Sequence, residues 1–125
     1  MQASHPKHIL TIDDESGIRE ILREVLVASG YRVTGADSEE EAMRIIRSDP
    51  PDLIITDLQL EEADGFALIA HAKAVVPKTP IILLTGMLFD PAVALGPVGD
   101  MIAAYLQKTV PLERVLKEVK HHLGD

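Results

Sequence analysis

A chain of 125 residues with a formal charge of −8 and no cysteine has the length of one domain, enough to bury about two-thirds of its unfolded surface. The acidic balance argues against direct contact with nucleic acid, whose phosphates are met by Lys and Arg, and without cysteine neither a disulfide framework nor a thiolate metal site can form. No apolar run reaches the roughly 20 residues of a membrane span, and Met1–Lys7 lacks the basic start and apolar core of a signal peptide, so a soluble, cytoplasmic protein without membrane contact is expected.

In chain order, residues 1–6 read as a flexible tail. Lys7–Ile12 is a first strand, built on the run Ile9-Leu10-Thr11-Ile12. Asp13-Asp14-Glu15-Ser16 follows as a turn with helix-capping chemistry, since acids are favoured where the helix dipole is positive. Ile18, Ile21, Leu22, Val25 and Leu26 recur at helical spacing, with Arg19, Glu20, Arg23 and Glu24 on the opposite face. Ser29-Gly30 closes this helix. Tyr31–Gly35 alternates, as a half-exposed edge strand does. Ser38, with Glu41 three residues on, is a capping box for a second helix. Its apolar face is Ala42, Ile45 and Ile46, and Pro50-Pro51 stops it.

Leu53-Ile54-Ile55 is an unbroken apolar run of strand length, of the kind buried on both faces of a parallel sheet. It ends abruptly on a carboxylate, Asp57. A third helix is expected over Gly65–Val76, with Phe66 and Ile69 turned inward. Pro80 can start a strand without breaking a ladder, Ile81–Leu84 is fully apolar, and Thr85-Gly86 ends that strand. Asp90-Pro91 resembles a helix start, but Gly96, Pro97 and Gly99 interrupt it. A short or broken fourth helix is therefore expected within Met87–Met101, and its apolar content marks it for partner recognition. Ala103–Leu106 is a weaker fifth strand leading to Lys108. Leu112, Val115, Leu116, Val119 and Leu123 mark the last helix, with Pro111 in its first turn.

Five alternations of strand and helix predict an α/β fold, a doubly wound parallel sheet with right-handed crossovers. The fully apolar strands ending at Asp13, Asp57 and Thr85 belong in the middle, and the mixed second and fifth at the edges. That is the flavodoxin-like order 2-1-3-4-5, whose chemistry sits at the carboxyl ends of the strands. Asp13, Asp14, Asp57, Thr85 and Lys108 then share one rim. Carboxylates that close repel by roughly 1–4 kcal/mol per pair. Such a cluster needs a cation, and a few hard oxygen ligands favour Mg²⁺. The five histidines show no zinc-site spacing; His5 and His8 lie at or near the tail.

Asp13-Asp14-Glu15, Asp57, Asp64-Gly65, Thr85-Gly86 and Tyr105-Leu106-Gln107-Lys108, in this order and spacing, resemble the receiver domain of two-component response regulators. The likeness runs from about Lys7 to His122. It implies that Asp57 accepts a phosphoryl group from a sensor histidine kinase or a phosphotransfer protein. It also implies Mg²⁺ on Asp14 and Asp57, on Asp13 through water, and on the Gln59 carbonyl. Lys108 and the Thr85 hydroxyl would bind the phosphoryl oxygens, and Thr85 and Tyr105 would relay the change. Such a chain is no classical enzyme; it catalyses only its own phosphorylation and dephosphorylation. Its partners would be the kinase or phosphotransfer protein and a downstream effector or output domain. A homodimer would use the face formed by the fourth helix, the fifth strand and the last helix.

Four positions depart from the family pattern. Leu60-Glu61 stands where receivers usually carry Met-Pro. Lys108-Thr109 replaces a Lys-Pro pair whose peptide bond is commonly cis, Met101-Ile102 replaces a Gly-Ala pair, and Gly96-Pro97 falls within the fourth helix. The competing reading is a pseudo-receiver, a scaffold that binds partners without phosphorylation. Its expected mark, loss of an acid or of the lysine, is not seen. A hydrolase of similar fold is a weaker rival, because no second general acid-base group is evident near Asp57.

Overall fold

The computed structural model describes residues 6–13, 16–57, 59–60, 63–86 and 100–124. The strands are β1 (His8–Ile12), β2 (Arg32–Ala36), β3 (Leu53–Thr56), β4 (Gln59–Leu60), β5 (Ala63–Asp64), β6 (Ile81–Thr85) and β7 (Ala104–Gln107). The helices are α1 (Ser16–Ala28), α2 (Glu39–Ser48), α3 (Gly65–Val75) and α4 (Leu112–Leu123). Five strands form one parallel sheet in the order β2-β1-β3-β6-β7, the doubly wound order expected from the apolar content of each run. The expected fourth helix falls almost wholly on 87–99, outside the described residues.

Burial explains the order. Every residue of β1, β3 and β6 is buried, because helices cover both faces of the sheet, and such strands carry apolar side chains without alternation. On one face, Leu10, Ile12, Ile54, Ile81 and Leu83 pack against Ala42, Ile46, Leu68 and Ile69 of α2 and α3. On the other, Ile9, Leu53, Ile55, Ile82 and Leu106 pack against Leu22 and Leu26 of α1 and Val115 and Val119 of α4. The edge strands β2 and β7 stay mixed.

Local chemistry sets the helix ends. Ser38 caps α2 by accepting from the Glu41 N–H at 3.2 Å. The second half of the expected capping box is displaced by one residue, since the Glu41 carboxylate accepts from the Asp37 N–H at 3.2 Å rather than from Ser38. Gly30 ends α1 with φ 98°. Its N–H bonds the Val27 carbonyl and that of Tyr31 bonds the Leu26 carbonyl, the paired bonds of a helix stop that favours glycine. Pro111 precedes α4 as its N-cap instead of lying in its first turn.

One further expectation is corrected, and two features add to the sequence reading. Ile21, placed on the buried face of α1 by its spacing, is 51% exposed; Leu22 and Leu26 fill the contact with the sheet. Gln59–Leu60 and Ala63–Asp64, to which no element was assigned, form the short antiparallel pair β4–β5. His8, read as lying near the tail, is a buried residue of β1 whose Nε2 lies 2.7 Å from the Thr34 hydroxyl. Its N–H donates to the Asp52 carboxylate at 2.7 Å, so β1 is pinned at its amino end. Beside it, the Arg32 guanidinium binds the exposed Asp49 carboxylate twice, at 2.7 and 3.1 Å, and that bond holds Asp49 below the usual carboxylate range.

Two substitutions test this account by urea denaturation. Ser38→Ala loses a cap and is expected to cost about 1 kcal/mol. Ile54→Ala, at a position 1% exposed between β1 and β6, leaves a cavity and is expected to cost about 2–5 kcal/mol. Equal small losses would mean that the sheet centre is loosely packed.

Candidate functional site

The sheet ladder continues one residue beyond three strands, and those residues are the expected site residues Asp13, Asp57 and Lys108. The Asp13 N–H donates to the Ala36 carbonyl at 3.1 Å, Asp57 to Ile12 at 3.1 Å and Lys108 to Thr85 at 2.9 Å. Ile12 pairs with Thr56, and Thr85 with Gln107. Asp13, Asp57 and Lys108 are therefore held by backbone bonds on the carboxyl rim, each the first residue past a strand. Thr85, the last residue of β6, is fully buried beside them.

The side chains converge. The Lys108 Nζ lies 2.7 Å from the Asp57 Oδ2 and 3.0 Å from the Asp13 Oδ2. Asp57 is 2% exposed and Asp13 5%. Strands β1 and β7 are three spacings apart, about 14 Å, so this meeting draws side chains inward from both sides of the rim. Buried carboxylates are costly without a partner, and one ammonium here serves two. The balance is a net negative charge on hard oxygen donors, which suits a small divalent cation. Among the described residues no three His, Cys, Asp or Glu side chains come together for a metal. Asp14, the remaining acid of the expected cluster, lies outside the described residues.

The other expected site residues are placed as follows. Gln59 begins β4, its backbone paired with Asp64 of β5. Tyr105 is half-buried, pairs with Leu83 across the sheet, and packs on the α2–α3 face of the core with Phe66 and Ile102. Thr85 follows Leu83 by two residues, so strand alternation puts its side chain on that same face. Lys108 also borders an apolar groove formed by Ile21, Leu22, Leu84, Val110, Leu112 and Val115, where a lysine stem packs while its charged head stays at the acids. No cis peptide bond occurs among the described residues, so Lys108–Thr109 is trans.

One residue at the rim was missed by sequence reasoning. Arg19 was assigned to the outer face of α1, yet it is half-buried and its guanidinium donates to the Asp13 carbonyl. The signal was Gly35. A glycine inside a strand marks a close approach, and here the Arg19 stem is what approaches.

The receiver model, "Response regulator receiver domain", matches residues 9–120. The chain is 36% identical over 102 residues to the transcriptional regulatory protein GlrR of Escherichia coli, covering 82% of this chain and 21% of that protein. It is 32% identical over 119 residues to the response regulator receiver protein CpdR of Brucella abortus, covering 94% and 97%. The chain thus spans about a fifth of the length of the first of these and nearly all of the second. Its structure is similar to that of the response regulator protein TrrA of Thermotoga maritima in complex with Mg²⁺-BeF, with a TM-score of 0.82 at 28% identity, covering 93% and 98%. No helix among the described residues is long and apolar enough to cross a membrane. The sheet order, the shared rim and the match over residues 9–120 lead to one conclusion: the chain belongs to the receiver domains of two-component response regulators.

Proposed function

We propose that Asp57 is the phosphoacceptor of this receiver, taking a phosphoryl group from a histidine of a sensor kinase or phosphotransfer protein. The observation that carries this reading is the Asp57 carboxylate itself, buried at the end of the central strand with the Lys108 ammonium at 2.7 Å. An Asp57 carboxylate oxygen attacks the phosphorus, the bond to the donor imidazole breaks, and an acyl phosphate results. Carboxylate nucleophiles form such intermediates. Phosphoryl transfer asks mainly for positioning and charge neutralisation, and the rim is built for both. Backbone bonds fix the Asp57 position, and the Lys108 ammonium is within reach of oxygens carried on Asp57. The Thr85 hydroxyl, on the neighbouring strand, is the donor suited to a further phosphoryl oxygen.

Mg²⁺ fits the donor set. Asp13, Asp14, Asp57 and the Gln59 carbonyl would hold it, and when bound it would neutralise charge on the phosphoryl oxygens. The TrrA complex with Mg²⁺-BeF supports this assignment. Thr85 and Tyr105 share a sheet face and would transmit the change toward β7 and the 87–101 segment. There a downstream effector, an output domain or a second copy of the chain would read it. The relatives named as transcriptional regulators support an output of that class, reached through another domain rather than by this acidic chain touching nucleic acid.

Acetyl phosphate with Mg²⁺ is expected to add one phosphoryl group by intact mass, and neither Asp57→Asn nor the chelated wild type is expected to gain it. Persistence of the gain in Asp57→Asn would move the acceptor elsewhere. No gain in the wild type, with partner binding retained, would make the chain a scaffold.

Lys108 gives a second test. Without metal, Lys108→Ala removes a cationic partner from two buried carboxylates and is expected to lower stability in urea by about 3 kcal/mol. Mg²⁺ should bind this variant more tightly than the wild type and recover most of the loss, as linkage requires of a ligand that binds only the folded state. Unchanged stability together with weaker Mg²⁺ binding would show that Lys108 is merely solvated.

A further inference from the structure

We infer that Arg19 is a positioning residue for the acidic rim, acting through the backbone of Asp13, and that its side chain runs over β2 at Gly35, where there is room for a methyl group but not for a larger side chain. The inference rests on the reading of the rim as a cation and phosphoryl site. Both main-chain groups of Asp13 are engaged. Its N–H donates to the Ala36 carbonyl of β2 at 3.1 Å, and its carbonyl accepts from the Arg19 guanidinium. With one anchor on the sheet and one on α1, the Cα–Cβ direction of Asp13 is fixed, and its carboxylate meets Lys108 at 3.0 Å. The bond from a guanidinium is charge-assisted and stronger than one between neutral groups.

The Arg19 side chain passes over β2 beside Gly35. Glycine in a strand interior weakens it, offering no side chain to pack. A Cβ built on Gly35 would stand 3.5 Å from the Arg19 Cδ, 3.6 Å from the Thr11 hydroxyl and 3.7 Å from the Arg19 Nε. The corridor is thus as wide as one methyl group and no wider. Thr11, buried, with no hydrogen-bond partner found for its hydroxyl, lines the same corridor from β1. Arg19 holds the peptide from which the Asp13 carboxylate projects.

Charge and position predict opposite signs, which makes the role measurable. Removing a positive charge from beside an acidic site should by itself tighten Mg²⁺. Removing the anchor should loosen it, and groups that orient metal ligands typically matter by ~10-fold or more in affinity. The experiment is Mg²⁺ calorimetry with parallel urea denaturation on the full chain. Arg19→Met keeps a long stem in the corridor and removes both charge and donor; it is expected to weaken Mg²⁺ by ~10-fold. Arg19→Lys, which keeps a cationic donor, is expected to recover most of that loss. Gly35→Ala should bind as the wild type does. Gly35→Val, a good strand residue too wide for the corridor, should weaken Mg²⁺ as Arg19→Met does. Arg19→Met with unchanged or tighter Mg²⁺ binding overturns the inference while leaving the site reading intact, even if its urea stability falls. A wild type that binds no Mg²⁺ overturns the site reading and this inference together.

Discussion

One ammonium shared by two buried carboxylates is the interaction on which the rim depends. Lys108 stands 2.7 Å from Asp57 and 3.0 Å from Asp13, and neither acid has water to fall back on. A lysine suits this place better than an arginine. Its charge is compact and its donors rotate, whereas a guanidinium fork binds one carboxylate in a fixed plane. The rim is therefore neutralised only in part and by a group that can change partners, which is what the proposed phosphoryl acceptor would require.

The sheet makes that arrangement possible. Helices on both faces bury β1, β3 and β6 completely, so polar groups on these strands appear chiefly where the strands stop. At the amino end, His8 and Asp52 tie β1 to the entry of β3, and Arg32 and Asp49 close the surface beside them. The carboxyl end carries the acids and the lysine. The two ends thus divide the work: one is closed by matched pairs, and the other keeps an excess of negative charge.

Much of this was legible from residue order. Three apolar runs that each end on Asp or Thr specify central strands and a functional rim together, and the observed order β2-β1-β3-β6-β7 follows from their burial. Asp13, Asp57 and Lys108 were named from their places at strand ends, and the structure brings their side chains together. Helix periodicity was less reliable at the residue level. It assigned Ile21 inward and Arg19 outward, because a 3.6-residue period describes the middle of a helix lying on a sheet. In α1 Leu22 and Leu26 fill the contact with the sheet, while Arg19 turns in to the Asp13 carbonyl and Ile21 faces out. His8 was placed in the first strand, as observed, but its burial was not foreseen from a polar residue so near the tail. The tests of Asp14 and of the 87–99 segment lie outside the described residues.

Because Asp13, Asp57 and Lys108 each follow directly on a paired strand residue, the pleat of the sheet is the ruler that aims them. Side chains alternate with a period of two, and a slip of one residue turns every later side chain to the opposite face. One residue inserted within 53–56 would thus swing Asp57 away from Lys108 toward the side occupied by Tyr105 and Phe66, with every functional residue still present. The lengths of the three strands are consequently as much a part of the site as its acids. A chain that kept all its motif residues but lost this count would look intact by composition and be unable to assemble the site.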